Sequence, residues 1–545
     1  MNIENPAAVK SSGPELFAAY EQQRPSDEQH AWATLLAALQ PRGESDWLDC
    51  VQRLVLRGRS GEAQRLLEAA RQRFSDSNDV ALALAGLCSS AGREDEAEAL
   101  LREIFARASD HAAAALSLSD LLRKQARTAA AAEVLRACFV VHRQPLDLAI
   151  RAMELLDDCE RKADAAAIAE AEIAAGCDDP RMHAYAATYL IQLGEFERAR
   201  ERYLFAYARS PLAPEWDVPF GLASAQRYRD AAHNDFELFR ACLARNDLSA
   251  RARATLLFGM GKAYAEIGDT ARAAQHVAQA NELARTLAPW SRKQWRRSID
   301  ARLQARVPTA RADTDSDFNP VFVVGVPRSG TTLAAELLAR LPLVCNRGES
   351  PWIWTLSQRL AQAARTDTAT LEELAREYER QLRRDDAAQA RWLVDKQPLN
   401  LLHVGFVLAM FPGAKIVYCR RNARDTALSL WTQYFREPGY GFAYDLADIA
   451  ALQQGCDRTM AHWRARYPAS IRELRYEDLA TDPTARMADL AEWIGIPSHA
   501  VSDAGPSAIN TASVWQARQP VYTSSIGRWR EWAPFVPDLL RFSVD

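Results

Sequence analysis

The sequence lacks any run of 18 uncharged apolar residues, so no membrane-spanning helix is expected. Its opening residues, Met1 to Glu15, have no apolar stretch of the kind a signal peptide requires. A basic excess is also missing: 67 Lys and Arg stand against 71 Asp and Glu, a formal net charge of −4. That balance gives no case for nucleic-acid binding or a basic membrane anchor. The nine cysteines are scattered, without a Cys-x-x-Cys pair or a Cys/His cluster. Such usage points to reduced thiols, not to a disulfide framework or a zinc site, and no metal is expected. The expectation is a soluble, cytoplasmic protein.

What is present divides the chain in two. Residues 1–29 are expected to be a disordered tail. From about residue 30 to 300 the text is alanine-rich, amphipathic and repetitive. Gly58, Gly92, Ala126, Glu160 and Gly194 each stand 34 residues after the last, in turn-like contexts. Five residues after each comes an alanine: Ala63, Ala97, Ala131, Ala165 and Ala199. Four residues before each sits Leu54, Cys88, Leu122, Leu156 or Leu190, and Tyr264, Gly268 and Ala273 restart the pattern. Helix, tight turn, and a small residue early in a second helix allow the two helices of a hairpin to approach closely. The pattern resembles the tetratricopeptide repeat (TPR) family over roughly residues 45–290. The resemblance implies an all-α solenoid whose concave face binds a peptide or another protein. Segment 212–250, with Trp216, Pro219 and Phe220, reads as a divergent repeat or an insertion. Residues 301–317 read as a polar linker.

The second half carries the chemistry. Val321 to Val324 predicts a buried parallel strand, and Leu333 to Leu341 a helix. Between them, Gly325 to Thr332 has the spacing of a phosphate-binding loop, but Thr331 stands where a nucleotide-hydrolysing enzyme places its lysine. Backbone N–H groups at a helix N-terminus bind an anion without that lysine, and Arg328 adds a forked cation. The site reads as one for a phosphate-like group other than a nucleotide γ-phosphate. A P-loop kinase is disfavoured because a Walker B acidic pair is missing too.

Further strands are predicted around 343–345, 392–394, 414–419 and 471–474, with helices at 400–411, 424–436, 446–466 and 482–494. Alternating strands and helices imply a parallel α/β sheet over 318–545, with ligands at the strands' C-terminal ends. Polar signals fall there: Arg347-Gly-Glu349, Asp395-Lys396, Arg421 with Ser429, and Tyr476.

Together these resemble the family of sulfotransferases that use PAPS (3′-phosphoadenosine 5′-phosphosulfate), with likeness to tyrosylprotein sulfotransferases. The resemblance implies that Pro327, Arg328, Ser329, Gly330, Thr331 and Thr332 form the 5′-phosphosulfate loop. Arg421 and Ser429 would hold the 3′-phosphate, and a guanidinium plus a hydroxyl suits its charge. Tyr476 and the Ser525, Gly527, Arg528 segment would lie beside the donor; Arg518 and Gln519 depart from the family lysine there. Sulfuryl transfer needs positioning, a base and a cation at the leaving oxygen. Glu349 is assigned as base, and Lys396 with Arg328 as cations. An ion pair of Glu349 with Arg347 or Arg328 is the competing reading of that carboxylate. Arg347 is open between holding a substrate carboxylate and surface solvation. His403 is read as packing inside a helix, and Trp352, Trp354 and Trp431 as core.

The expected function is transfer of a sulfuryl group to an acceptor hydroxyl, with protein or peptide tyrosine favoured. A small alcohol, lipid or glycan acceptor, and an inactive repeat scaffold, are the alternatives. The partner expected for the repeats is a peptide or protein, and a homodimer is left open.

Overall fold

The repeat turns share one backbone device. Gly58, Gly92, Gly194 and Gly268 all adopt positive φ, between 71° and 83°. One residue further on, the N–H of Arg59, Arg93, Glu195 and Asp269 returns to the carbonyl of Leu54, Cys88, Leu190 and Tyr264, at 2.9–3.0 Å. This is a Schellman closure, in which a left-handed residue satisfies carbonyls that the helix end leaves orphaned. Ala63, Ala97, Ala131, Ala165, Ala199 and Ala273 are fully buried, so the small residue is where the paired helices touch.

The computed structural model describes residues 13–125, 127–159, 161–304, 312, 318–363, 367–383, 390–435, 438–497 and 523–543. They form two compact units, Met1–Cys159 and Glu160–Asp545.

The first unit is helical, from Gly13–Gln23 through Leu146–Asp158. The expected disordered tail is corrected here: Gly13–Gln23 is a helix, and residues 28–29 already begin the Glu28–Leu39 helix. Phe17 and Tyr20, three apart on one face, are buried beside Trp47 and Leu66. The Gly13 N–H donates to Asp46 Oδ1 at 2.9 Å. Residues 1–12 lie outside the described residues.

The second unit joins helical repeats to a five-stranded parallel sheet. Its helices run from Lys162–Ala174 to Arg292–Gln304. The irregular 212–250 segment is helical as well: Val218–Ala225 packs between Phe196–Arg209 and Ala250–Glu266, and Asn234–Leu243 follows. Gly221 is required there, because a Cβ would lie 2.3 Å from the Tyr203 ring.

The strands are β1 (Asn319–Gly325), β2 (Val344–Asn346), β3 (Trp392–Asp395), β4 (Lys415–Arg420) and β5 (Ile471–Arg475), in the order β2-β3-β1-β4-β5. All pairings are parallel, with Val323 opposite Val417 and Val321 opposite Val394. Both faces of β1 are buried. Val321 and Val323 join Ala334, Leu338, Leu490 and Ile494 on one side. Phe322 and Val324 enter a second core with Tyr378, Phe411 and Ile449, and that core continues into Phe258, Val277 and Ala284 of the repeat helices.

The expected boundary near residue 300 is therefore not where the compact units divide. The last repeat helices are bound to the sheet layer by buried and paired groups. The Trp295 indole donates to Ala451 O at 3.0 Å, and Arg292 and Arg285 pair with Asp448 and Asp445 at 2.8 and 3.2 Å. Tyr434 packs on Phe220 and Phe258. Within the expected linker, residues 301–304 complete a helix, and buried Ala312 donates its N–H to Ala409 O at 3.0 Å. The remaining linker residues, 305–311 and 313–317, lie outside the described residues.

Candidate active site

The sheet order reverses direction at β1, the position where open parallel sheets form a crevice at their carboxyl ends. Each of the five strands delivers a side chain or loop of the candidate site there.

After β1, the chain turns through Val326 to Gly330 into the Thr331–Leu338 helix. Arg328 holds φ +73° and Gly330 φ +95°. A Cβ on Gly330 would lie 2.6 Å from Tyr476 Cδ2, so glycine lets the Tyr476 ring lie against the loop. Pro327, Ser329 and Thr331 are buried, and Thr332 is half-buried. The Ser329 hydroxyl is buried without a hydrogen-bond partner among the described residues.

After β4, Arg421 reaches three elements. Its guanidinium lies 4.6 Å from the Tyr476 ring centre, a stacked cation–π geometry. One terminal nitrogen donates to Ser525 O at 2.7 Å and the other approaches Arg328 O at 3.4 Å. Its Nε is buried and has no partner among the described residues. Ser429, on the Ala423–Trp431 helix, accepts from Arg328 Nε at 3.0 Å. The serine expected to accompany Arg421 is thus held by the loop arginine, which brings the two phosphate elements together.

The C-terminal segment closes this side. Tyr476 OH and Ser525 Oγ are 2.6 Å apart. Asp425, buried, accepts the N–H of Gly527 at 2.6 Å and of Trp529 at 3.0 Å. Arg424 donates to Phe542 O and Leu540 O and stacks on Trp529. The sequence reading gave no role to Arg424 and Asp425; two charges in the first turn of a helix after a strand are the signal that marks them. Arg528 is exposed, 5.9 Å from the Trp532 ring centre. Arg518 and Gln519 lie outside the described residues.

Between β2 and β3 the charged pair of the site forms. Asn346 Oδ1 accepts the Gly348 N–H at 3.0 Å, and Gly348, at φ +68°, turns the chain so that its carbonyl receives the Lys396 N–H at 2.9 Å. Glu349 Oε1 then meets Lys396 Nζ in an ion pair. Lys396 is buried, while Glu349 keeps 29% of its side chain exposed. The partner of Glu349 is therefore Lys396, where the competing reading named Arg347 or Arg328. Arg347 places a terminal nitrogen 3.7 Å from Cys345 Sγ.

Behind Lys396, Asp395 is fully buried. It accepts from Tyr378 OH at 2.7 Å, Asn400 Nδ2 at 3.1 Å and the Gln397 N–H at 3.1 Å. Desolvation pushes its pKa up to about 7 against the pull of those donors and of Lys396. His403 packs as expected, but at the end of a 3-10 turn, Pro398–His403, not inside a helix; burial and the Arg302 charge lower its pKa to about 4. One reading is corrected. Trp354 is exposed, at 59%, because it points away from the face of Trp352–Gln362 that buries Ile353 and Leu356.

These features define an α/β domain with a lysine-free glycine loop after β1, an arginine and a serine after β4, and a paired carboxylate and ammonium. Residues 320–500 match the model described as the sulfotransferase family, and residues 54–121 match the tetratricopeptide repeat model. The chain combines a tetratricopeptide repeat region with a sulfotransferase-family domain. It is similar to an uncharacterized protein of Aquifex aeolicus (strain VF5), 26% identical over 375 residues, 64% of this chain and 48% of that protein. The chain thus spans about half the length of this relative. It is also similar to protein-tyrosine sulfotransferase 1 of Danio rerio, 23% identical over 263 residues, 42% of this chain and 74% of that protein. Among solved structures, a sulfotransferase from Mycobacterium tuberculosis H37Rv shares 17% identity over 54% of this chain and 93% of its own, with a TM-score of 0.24.

Proposed function

We propose that this protein transfers the sulfuryl group of PAPS to the hydroxyl of a tyrosine on a peptide or protein. The observation that carries the reading is the Glu349–Lys396 pair at the adjoining ends of β2 and β3, set beside the loop after β1. It supplies a base and a cation to one reacting centre.

The donor's needs match groups that the fold leaves available. Ser329 Oγ and the N-terminus of the Thr331–Leu338 helix suit the 5′-phosphosulfate. Arg421, with its free buried Nε, suits the 3′-phosphate together with Ser429 and Arg328. Tyr476 offers a ring face already occupied on one side by Arg421.

In the transfer, Glu349 takes the proton of the acceptor hydroxyl as its oxygen forms the new bond to sulfur. The bond from sulfur to the bridging oxygen breaks, and Lys396 stabilises the charge that develops on that oxygen. 3′,5′-ADP leaves. Before reaction Glu349 and Lys396 pair with each other, and substrate entry gives each a separate partner. The acceptor assignment is supported by the Gly348-Glu349 segment and by similarity to a protein-tyrosine sulfotransferase. The repeat region supports a macromolecular acceptor, since such arrays bind peptides.

The test is incubation of the purified chain with labelled PAPS and a tyrosine-containing peptide library. Release of 3′,5′-ADP with a mass gain on tyrosine supports the proposal. Release without tyrosine labelling overturns the acceptor, and no calorimetric affinity for PAPS or 3′,5′-ADP overturns the donor.

A further inference from the structure

The Ala423–Trp431 helix carries Arg424, Asp425 and Ser429, so its position decides the geometry of the proposed 3′-phosphate site. Its N-terminus is held locally: Asn422 caps it by accepting the N–H groups of Arg424 and Asp425. At its C-terminus the Thr432 hydroxyl donates to Leu428 O at 2.8 Å. The last carbonyl is served by a residue 150 positions earlier: Asn281, on the repeat helix Thr270–Leu287, donates from Nδ2 to Trp431 O at 2.9 Å.

Asn281 is nearly fully buried in an otherwise apolar layer that includes Val277, Ala280 and Ala284. The same Nδ2 also donates to Val277 O at 2.9 Å, which fixes the rotamer, while Oδ1 has no hydrogen-bond partner among the described residues. A buried amide with one end unsatisfied is costly where an apolar residue of the same size would fit. What the amide provides is a directional bond to a helix terminus, whose last carbonyls have no partner within the helix. The same repeat helix also packs against Trp529–Trp532. Trp532 meets Trp431 edge-on, with ring centres 6.4 Å apart, and Asp425 holds the N–H groups of Gly527 and Trp529. The repeat helix therefore touches both elements that bound the proposed donor site, the Ser429 helix and the closing segment.

We propose that Asn281 is a positioning residue for the donor: the repeat array, through this amide, sets the distance between Ser429, Arg328 and Arg421. The inference rests on the sulfotransferase reading of the site. It sets donor affinity and leaves acceptor recognition alone, because Asn281 bonds the helix that follows β4, whereas Glu349 and Lys396 follow β2 and β3.

The test uses the full-length chain. Asn281→Leu removes the bond at nearly constant volume, and Asn281→Ser keeps a hydroxyl able to return to Val277 O but too short to reach Trp431 O. Calorimetry with 3′,5′-ADP is expected to show about tenfold weaker binding for either variant, the loss of one buried hydrogen bond. The KM for PAPS should rise in parallel, with the KM for the peptide acceptor and the far-ultraviolet dichroism unchanged. Should Asn281→Leu fail to fold, Asn281→Ser carries the measurement. Wild-type affinity in a folded variant, or equal increases in both KM values, overturns the inference. Absence of 3′,5′-ADP binding by the unmutated chain overturns the reading of the site instead, so the two failures are distinguishable.

Discussion

Asp395 stands one residue before the proposed catalytic lysine and accepts three hydrogen bonds, yet its pKa is raised to about 7. Burial outweighs the donors around it, so the folded protein resists ionising this group while the unfolded chain ionises it near pH 4. Its effect on stability therefore has a definite sign. Below about pH 4 both states are protonated and there is no penalty; as pH rises toward 7, stability is lost, and above 7 the penalty is constant. Chemical denaturation between pH 4 and 8 should show that Asp395→Asn removes a decline on the order of 2–4 kcal/mol that the wild type displays. A wild-type-minus-variant difference that stays flat would show Asp395 already ionised at low pH. The neighbouring pair makes a separate prediction. Glu349→Gln, which keeps shape and loses the base, should lower turnover by about 10²–10⁴-fold with 3′,5′-ADP affinity retained. Loss of affinity with turnover intact would reassign Glu349 to binding.

Among the elements, the loop after β1 is the most constrained. Gly330→Ala would force a Cβ into the Tyr476 ring at 2.6 Å and hold an L-residue at φ +95°. Displacing Tyr476 also releases Ser525 and the stacking surface of Arg421. Binding of 3′,5′-ADP should fall at least tenfold, read by calorimetry, while the sheet's dichroism is unchanged. The strands around this loop were readable because β-branched apolar runs end abruptly in charged residues, as Val417-Tyr-Cys419 does at Arg420 and Arg421. The turn between β1 and the Thr331–Leu338 helix was readable from its glycine spacing, whereas the approach of Arg421 and Ser429 to it comes from the structure. The Trp352–Gln362 and Thr368–Arg383 helices escaped notice, although Leu371, Leu374, Ala375, Tyr378 and Leu382 form a helical stripe. The Thr368–Arg383 text is dense in charge, and a polar turn over Arg347 to Pro351 separates the Trp352–Gln362 helix from its strand. Contacts between distant segments were beyond reach: nothing local in Asn281 or Tyr378 indicates Trp431 or Asp395 as partner.

For the whole molecule, the shared core has a direct test. Residues 160–545 should express as a cooperatively folding protein. Residues 318–545 alone should aggregate, because removing the repeat helices exposes Phe322's layer at Tyr434, Tyr444 and Phe442. Light scattering and thermal unfolding of the two truncations would decide this. A monomeric, cooperatively melting 318–545 fragment would show that the helices are dispensable for folding.

The continuity of that core also limits how such a chain is assembled by recombination. A crossover beside Cys159 falls between two compact units and leaves the Asn281 anchor with its helix. A crossover near residue 305, where the helical text ends, would deliver a sheet whose Ser429 helix must find a new support. Exchange of repeats in this architecture is therefore expected upstream of residue 160, with the last repeats inherited together with the sheet.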